Sequence, residues 1–401
     1  MAVVGKPKLM RKINRELLLG VLREKQYVTN SELTKKTGLS RRTVNLIISS
    51  LMESGIVAEA GYGDSTSEGG KKPVIYQFIP DSFYAIGCMI RDIKAFIGIC
   101  NLNGEILFRD EITIEWDKGR DHVSRQILGL IKSTIDKVKI DLSKFLGVGI
   151  GLPGIIDSEN GTIKTLTRHE GWEDFGLAKV LQKELKMPVE IKNENHIRVL
   201  GEKWFGLAKD YRDFVTIITT NDGIGAGVVL NNKLMSSKNC LFGEVGHIKT
   251  VGHGTGFKEL MNFEHYLGLK HINQVIHDNI KHRSYPGSPI KKIADQGVIP
   301  FKDLFDSYNS GDEFSSMVVD KITVYLATLI EIIVCTYDPE LIIIQGKYST
   351  LNDDYFKEIS KDIKRSLYPR VNKEIAIKRT TQAKEMSIIG AAGIIFDEIS
   401  I

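Results

Sequence analysis

Hydrogen-bonding side chains of the kind that read DNA bases cluster between residues 40 and 45. Arg41 and Arg42 can each form two hydrogen bonds with a guanine edge, and Asn45 can do the same with adenine. Serine and threonine hydroxyls in the same segment can reach phosphates or bases. These residue types predict contact with the major groove of DNA. The predicted contacting residues of this segment are Ser40, Arg41, Arg42, Thr43 and Asn45.

A helix must present these side chains, and residues 30–57 predict a helix-turn-helix. Asn30 or Ser31 can cap its first helix. Gly38 can end that helix in a left-handed conformation, and Ser40 can cap the second. Apolar residues recur at helical spacing on the inner face of the second helix, at Val44, Ile47, Ile48 and Leu51. The alternative is a helical hairpin with a solvated basic face.

The flanking residues turn this prediction into a winged helix-turn-helix. Residues 56–59 and 74–78 favour strands, and a glycine-rich tip with Lys71 and Lys72 lies between them. The two lysines are predicted to contact backbone phosphate or the minor groove, unless the tip is only a mobile hairpin. Upstream, apolar residues in the segment 13–22 predict a helix that covers the unit.

The charge distribution also favours DNA binding by the N-terminal segment. The chain has 401 residues and a formal net charge of +4, but residues 1–80 hold 13 Lys and Arg against 7 Asp and Glu. A basic surplus confined to one segment is typical of nucleic-acid binding. The four scattered cysteines, the lack of a signal peptide and the lack of an apolar run of ~20 residues predict a cytoplasmic protein.

The chain after Pro80 predicts a different kind of domain. Three strands between residues 83 and 114 are followed by alternating helices and strands up to residue 192, which indicates a mixed α/β sheet. A second series begins after residue 195. It includes a glycine loop at Gly223–Gly227 that opens a hairpin, and a largely helical segment, 258–330. We therefore predict two lobes about a cleft.

Motifs along this second part, taken in their order and spacing, resemble the ROK family (repressors, open reading frames, kinases) in its repressor branch. They are Gly149–Asp157, Gly171-Trp172, Asn193-Glu194-Asn195, Gly223–Gly227, Glu244-Val-Gly-His247 and Asp338–Gly346. The resemblance implies an α/β fold in which a winged helix-turn-helix at residues 1–80 precedes a two-lobed, actin/hexokinase-like domain of the sugar-kinase type at 81–401. Lobe one would span about 81–195 plus the C-terminal helix 386–401, and lobe two about 196–385.

The resemblance also implies a sugar pocket between the lobes. Carboxylates accept hydrogen bonds from neighbouring sugar hydroxyls, and Asn and His can supply both donors and acceptors. The implied sugar-binding residues are Asn193, Glu194, Glu244, His247 and Glu264. For Glu244 and His247 the alternative is a loop carboxylate and a core histidine, and for Glu264 it is a helix-surface glutamate. Trp172 either borders the sugar or packs within its loop.

Three departures from the kinases of the family predict that this chain does not transfer phosphate. The turn at Ile90–Lys94 lacks the glycines that let backbone amides approach phosphate. Glu194 stands where the kinases have a catalytic aspartate, and the extra methylene of glutamate moves the carboxylate by about a bond length. A positioning error of ~1 Å in a catalytic group can cost about 10²-fold in rate. The adenosine-side turn, Gln345-Gly-Lys-Tyr348, has one glycine followed by bulky residues.

We expect no metal and no other cofactor. The segment after His247 lacks the cysteine cluster with which many members of the family bind zinc. His247 and His253 without a third ligand make a poor tetrahedral zinc site.

These observations and the resemblance predict a transcriptional repressor whose affinity for operator DNA is set by a monosaccharide. The resemblance implies xylose as the first candidate, and another monosaccharide is the alternative. The repressor is expected to bind an inverted repeat as a homodimer, or as a tetramer built from it. A sugar that touched both lobes would favour one lobe angle and so change the spacing of the two recognition helices. The alternatives are a sugar kinase fused to a DNA-binding domain, and a DNA-binding protein whose second domain serves only dimerisation.

Overall fold

The chain folds into two compact units. The computed structural model describes residues 7–63, 72–166, 169–221, 223–235, 241–251, 260–282, 285, 287–366 and 375–398. Unit one comprises residues 1–205 and 385–401, and unit two comprises residues 206–384. The sequence-based boundary after residue 195 differs from this division, because the helix that spans it, Glu194–Phe205, belongs to unit one.

The N-terminal part of unit one is a winged helix-turn-helix. Its elements are α1 (Pro7–Glu24), β1 (Tyr27–Thr29), α2 (Asn30–Thr37), α3 (Arg41–Glu53), β2 (Val57–Tyr62) and β3 (Val74–Phe78). The strands form an antiparallel sheet in the order β1-β3-β2. The sequence analysis missed β1, because only three of its residues pair with β3 and so short a run carries little pattern.

Local hydrogen bonds set the ends of α2 and α3. Thr29 caps α2 in a capping box with Glu32, one residue before the predicted caps. Gly38 ends α2 with a φ of 68°, and Ser40 caps α3 by accepting a hydrogen bond from the Thr43 amide. Inward residues of α1, α2 and α3 share one buried core, which includes Leu18, Leu22, Leu33, Val44, Ile48 and Leu51.

A five-stranded mixed sheet forms the rest of unit one. Its elements are β4 (Tyr84–Arg91), β5 (Lys94–Asn101), β6 (Ile106–Thr113), α4 (Arg120–Asp136), β7 (Phe145–Leu152), β8 (Ile155–Asp157), β9 (Thr162–Thr165), α5 (Leu177–Leu185), β10 (Val189–Asn193) and α6 (Glu194–Phe205). The strand order is β10-β7-β4-β5-β6, and β4 is parallel to β7 but antiparallel to β5. The long apolar runs of β4, β5 and β7 are buried, as expected for central strands.

Unit two is built on a second five-stranded sheet, with strand order β13-β12-β11-β16-β17. Its elements are β11 (Phe214–Thr219), β12 (Ile224–Leu230), β13 (Lys233–Leu234), β14 (Lys249–Val251), β15 (Leu260–Asn262), α7 (Phe263–Leu267), α8 (Leu269–His282), α9 (Pro289–Ala294), α10 (Phe301–Asn309), α11 (Glu313–Tyr337), β16 (Leu341–Gly346), α12 (Asp353–Ser366) and β17 (Ala376–Arg379). The predicted loop Gly223–Gly227 is largely strand, because Gly225 and Gly227 pair with β11.

The last helix, α13 (Ala383–Glu398), brings the chain back to unit one and packs its backbone directly on the sheet. A Cβ atom at Gly87 would overlap the carbonyl oxygen of Ile388, and one at Gly149 would overlap that of Ala391. Close helix packing thus accounts for glycine in these two buried strands. No helix in the described part of the chain combines the length and the apolar character needed to cross a membrane.

Candidate functional site

The predicted DNA-contacting side chains lie at the exposed start of α3. Arg41, Arg42 and Asn45 are all exposed. The side-chain amide of Asn30 donates a hydrogen bond to Oδ1 of Asn45 at 2.8 Å, which orients the Asn45 amide. The hydroxyls of Ser40 and Thr43 lie 2.9 Å apart, at the cap of the helix. This arrangement presents two guanidinium groups and one amide to solvent, while the opposite face of α3 is buried.

Leu46 shares the outer face of α3, and the sequence analysis did not include it. This residue is 66% exposed. It lies four residues after Arg42 and therefore on the same side of the helix. An apolar side chain in this position can contact the methyl group of thymine. The same helical spacing could have identified it from the sequence.

The described part of the wing includes only one of its two predicted lysines. Lys72 is exposed and lies two residues before β3, whereas Lys71 lies outside the described residues. Tyr62, which pairs with Val74 at the end of β2, is 63% exposed. The wing therefore offers an ammonium group and an aromatic ring at the end of the sheet.

In unit one, the two predicted sugar-binding residues follow each other at the junction of β10 and α6. The side-chain amide of Asn193 donates to the carbonyl of Gly154 at 2.8 Å and accepts from the backbone amide of Asn195 at 2.8 Å. Asn193 therefore fixes the loop after β7 and the start of α6. The carboxylate of Glu194 lies 3.4 Å from Nη2 of Arg198. The Asn193 side chain is thus hydrogen-bonded to backbone groups, whereas the Glu194 carboxylate is paired with a guanidinium.

Arg198 is a buried charge beside this site that sequence reasoning missed. Its side chain is 2% exposed, and its Nε and Nη1 atoms have no hydrogen-bond partner among the residues that the structure describes. Burial lowers the pKa of Arg198 to about 10, and the Glu194 carboxylate acts against that shift. A spacing of four residues on one helix was the available signal, since it places both side chains on the same face.

In unit two, the other three predicted residues come together. His247 Nε2 lies 3.8 Å from a carboxylate oxygen of Glu244, and His247 Nδ1 lies 3.8 Å from one of Glu264. The β14–β15 pair makes this possible, because it returns the chain to a point beside His247 before α7 begins. Burial raises the pKa of Glu244; His247 counteracts this shift and Glu264 adds to it. The group is a small polar cluster with acceptors on both sides of an imidazole.

The surroundings of this cluster bear on the alternatives for its members. The side chain of His247 is 64% exposed, so it is not a core histidine. Glu264 accepts a hydrogen bond from the backbone amide of Ile224 at 3.0 Å, so it is not a plain helix-surface glutamate. Trp172 is buried between the rings of Trp116 and Phe175, with centroid distances of 5.4 and 5.6 Å. Trp172 therefore packs within its loop.

The turn between β4 and β5 is short and closed. Arg91 pairs with Lys94 in the strand register, so only Asp92 and Ile93 form the turn. Asp92 has a φ of 51°, and its carbonyl accepts a hydrogen bond from the indole of Trp116 at 2.7 Å. A glycine-rich phosphate turn would leave backbone amides approachable, whereas this turn carries an exposed isoleucine at its tip.

The turn after β16 is filled by an aromatic side chain. Tyr348 is fully buried, and its hydroxyl donates a hydrogen bond to the carbonyl of Leu267 at 3.0 Å. Its ring packs on those of Phe301 and Phe305, at centroid distances of 5.5 and 5.2 Å. Gly346, with a φ of 94°, allows the close approach to Thr219 that sets up this packing. The residues after Gly346 thus belong to the core of unit two.

Among the residues that the structure describes, no group of three or more His, Cys, Asp or Glu side chains is arranged to hold a metal ion. His253 lies outside those residues, so the predicted zinc-free loop is described only in part.

Comparisons with known proteins cover both parts of the chain. The sequence matches the ROK family over residues 91–398 and a winged helix-turn-helix DNA-binding family over residues 11–58. It is 27% identical over 380 residues to the xylose repressor of Caldicellulosiruptor bescii, a match that covers 90% of this chain and 89% of that protein. It is 28% identical over 301 residues to the glucokinase of Halalkalibacterium halodurans, covering 73% of this chain and 88% of that protein.

A solved structure has the same fold over nearly the whole length. It is a ROK family transcriptional regulator described as a homolog of the E. coli MLC protein, with a TM-score of 0.77 at 20% identity, covering 97% of each chain. Together with the family matches, it confirms the predicted fold class: a winged helix-turn-helix followed by an α/β domain of the sugar-kinase type.

Proposed function

Because the chain belongs to the ROK family and carries a winged helix-turn-helix domain, we propose that it is a transcriptional repressor whose affinity for operator DNA is set by a monosaccharide. The observation that carries this proposal is the similarity to a xylose repressor over 90% of the chain, which spans both domains. Xylose is accordingly the first candidate effector, and other monosaccharides follow. The exposed arginines of α3 would supply the contacts to operator DNA.

The sugar contacts are proposed from the polar cluster of unit two. Glu244 and Glu264 can accept hydrogen bonds from sugar hydroxyls, and the exposed imidazole of His247 between them can donate or accept. The family resemblance adds Asn193 and Glu194 of unit one. Since Asn193 is engaged by the backbone on both sides, its contribution would be to hold Glu194 in place.

Glu244→Ala and His247→Ala are each expected to weaken sugar binding roughly ten- to 150-fold, because a lost hydrogen bond to a charged group costs ~1.5–3 kcal/mol. Operator binding without sugar should stay within about twofold of the unsubstituted protein. The measurement is a thermal-shift screen of monosaccharides followed by calorimetry. Because coupling is reciprocal, operator DNA must change the sugar affinity by the factor with which the sugar changes operator affinity.

Glu313→Ala is the matched control, since it removes an exposed carboxylate from the same unit. It should leave both affinities unchanged. If Glu244→Ala and His247→Ala lost operator binding together with sugar binding, the two residues would be structural and the assignment of the sugar site would fail.

We also propose that the chain does not transfer phosphate. The closed Asp92-Ile93 turn and the burial of Tyr348 support this, whereas the similarity to a glucokinase favours the kinase alternative. Purified protein should therefore show no sugar-dependent ATP turnover above background in a coupled assay with magnesium. Turnover that depended on sugar and disappeared in Glu194→Gln would establish the kinase alternative instead.

Operator recognition is proposed to involve a homodimer, because one chain supplies one recognition helix. Two copies related by a twofold axis would protect two inverted half-sites, whose centres lie a whole number of ~10.5-base-pair turns apart. Footprinting on the promoter region, combined with light scattering of the complex, measures both properties. Protection of a single, non-repeated half-site would rule out the dimer.

A further inference from the structure

One helix of unit one begins at the proposed sugar-binding carboxylate, Glu194, and its last residue, Phe205, contacts the winged helix-turn-helix domain. Helix α6 has 12 residues, from Glu194 to Phe205, and is ~18 Å long at 1.5 Å per residue. Charged side chains make contacts at both ends of this helix.

At the first end, Arg198 ties the Glu194 carboxylate to the helix. The guanidinium is buried, and its Nη2 atom lies 3.4 Å from a carboxylate oxygen of Glu194. Arg91, the last residue of β4, also lowers the pKa of Arg198, and Asp92 of the β4–β5 turn raises it. The Nε and Nη1 atoms of Arg198 have no hydrogen-bond partner in the described part of the chain, so this buried guanidinium is sensitive to any movement of Glu194. A ligand that draws Glu194 towards itself must therefore act on Arg198.

Between its ends, α6 is held along its length by α13. A Cβ atom at Gly201 would overlap the carbonyl oxygen of Met386, and one at Gly390 would overlap that of Ile197. The two helices thus touch backbone to backbone. Close-packed backbones resist local bending, so a displacement at one end is passed on rather than absorbed.

At its other end, α6 holds helix α1 of the winged domain. The guanidinium of Arg23 lies over the ring of Phe205, 5.0 Å from its centroid, and its Nε donates to the carbonyl of Leu102 at 2.9 Å. Lys203 lies 4.0 Å from Glu16 of α1. Burial lowers the pKa of Arg23 to about 10, and Glu16 acts against that shift. The contact is therefore a desolvated one rather than a loose surface pair.

Helix α1 in turn sets the position of the recognition helix. Leu18 and Leu22 of α1 share a buried core with Val44 and Ile48 of α3. Leu102, from the hairpin between β5 and β6, is part of the same core. Anything that moves the Phe205 end of α6 against α1 must therefore also move α3, whose outer face carries Arg41 and Arg42.

We propose that helix α6 connects the proposed sugar site to the DNA-binding domain, with Arg198 as a positioning residue at one end and the Phe205–Arg23 contact at the other. The inference rests on the proposed function and names the route by which the sugar acts. It assigns roles to Arg198, Phe205 and Arg23 that neither the sugar contacts nor the DNA contacts require.

A double-mutant cycle on operator affinity tests this connection in the sugar-free, full-length protein. Glu194→Gln removes the charge at one end, and Phe205→Leu removes the aromatic ring at the other. Glu194→Gln is expected to change operator affinity roughly fivefold or more, although residue 194 does not belong to the winged domain. In the Phe205→Leu background, the same substitution should change it less than about twofold.

Two substitutions serve as matched controls. Phe108→Leu also removes a ring that lies under an amine, 5.5 Å from Lys137, but Phe108 packs in the core of the large sheet rather than in that of the winged domain. Glu184→Gln repeats the charge change at an exposed position on α5. If Glu194→Gln has the same effect in the Phe205→Leu and Phe108→Leu backgrounds, or no effect at all, the proposal is overturned.

Further variants guard against simple misfolding, and thermal unfolding of each is measured first. Arg198→Met removes the buried charge instead of its partner and should act on operator affinity through Phe205 in the same way. Arg198→Lys keeps a positive charge beside Glu194 and should retain the connection. Arg23→Lys keeps the charge of α1 but loses the Nε donor to Leu102 and should weaken the connection as Phe205→Leu does. If any of these three variants gives the opposite result, the proposal that α6 connects the sugar site to the DNA-binding domain is contradicted.

A sugar titration separates this inference from the proposed function. If no monosaccharide alters the operator affinity of the unsubstituted protein, the proposed function fails, whatever the cycle shows. If a sugar alters it and Phe205→Leu leaves that change intact, only the connection through α6 fails. The expected result is a sugar-induced change at least about fivefold smaller in Phe205→Leu, with a sugar affinity within about twofold of the unsubstituted protein.

Discussion

The Arg41→Ala, Arg42→Ala double variant is expected to lose most of its preference for operator DNA. Both guanidinium groups are exposed at the start of α3, whereas the packing of this helix is carried by inner residues such as Val44 and Ile48. The fold should therefore survive the substitutions. Each arginine paired with a guanine contributes ~1–3 kcal/mol of discrimination, so the loss of two corresponds to roughly 30-fold to 10⁴-fold in relative affinity.

The measurement is the ratio of affinities for operator and scrambled DNA at several salt concentrations. Lys72→Ala is the control for phosphate contact, because its ammonium group lies on the wing. It should weaken both DNAs alike and reduce the slope of log affinity against log salt by about 1, with the ratio unchanged. A double variant that kept the ratio of the unsubstituted protein would show that another face reads the bases.

Gly149→Ala is expected to destabilise the protein more than a methyl group added at any other single position of unit one. The new Cβ atom would overlap the carbonyl oxygen of Ala391 in α13, and a backbone atom cannot move aside as a side-chain tip can. Overpacking in a core typically costs ~1–3 kcal/mol and occasionally more. We expect ~3 kcal/mol or more here, measured as the shift of the urea-unfolding midpoint at unchanged slope.

Gly129→Ala provides a control of opposite sign. Gly129 lies on the exposed side of α4, and a Cβ atom there would meet no atom within 4 Å. Alanine favours a helix over glycine by ~1 kcal/mol, so this variant should be slightly more stable than the unsubstituted protein. If Gly149→Ala and Gly129→Ala unfolded at the same urea concentration, the direct packing of α13 on the sheet would be wrong.

The helix-turn-helix could be predicted from the sequence because its determinants are local. A glycine at the end of α2, a serine cap before α3 and an apolar spacing of three and four residues all lie within one short segment. The cluster of Glu244 and His247 is local in the same sense, since the two residues are three apart. Glu264 joins them through the register of β14 and β15, which needs a pairing across 252–259 that no short pattern reports.

The sequence-based predictions that differ from the structure concern features that depend on packing between residues far apart in the sequence. The sequence analysis began the second series after residue 195, whereas α6 already begins at Glu194, because a cap and an apolar spacing mark a helix start more clearly than a charged first turn. It placed Gly225 and Gly227 in a loop, since glycine favours turns, yet pairing with β11 draws them into a strand. It did not see that Arg198 is buried, because arginine is almost always exposed.

The burial of Tyr348 has an evolutionary consequence under the proposed function. To reopen the turn after β16, a lineage would have to remove a ring that packs on Phe301 and Phe305 and bonds the Leu267 carbonyl. Losing a buried aromatic side chain costs ~3–5 kcal/mol, against a total stability of ~5–15 kcal/mol for a typical domain. A first step towards a nucleotide site at this turn would thus destabilise the protein before any nucleotide could bind.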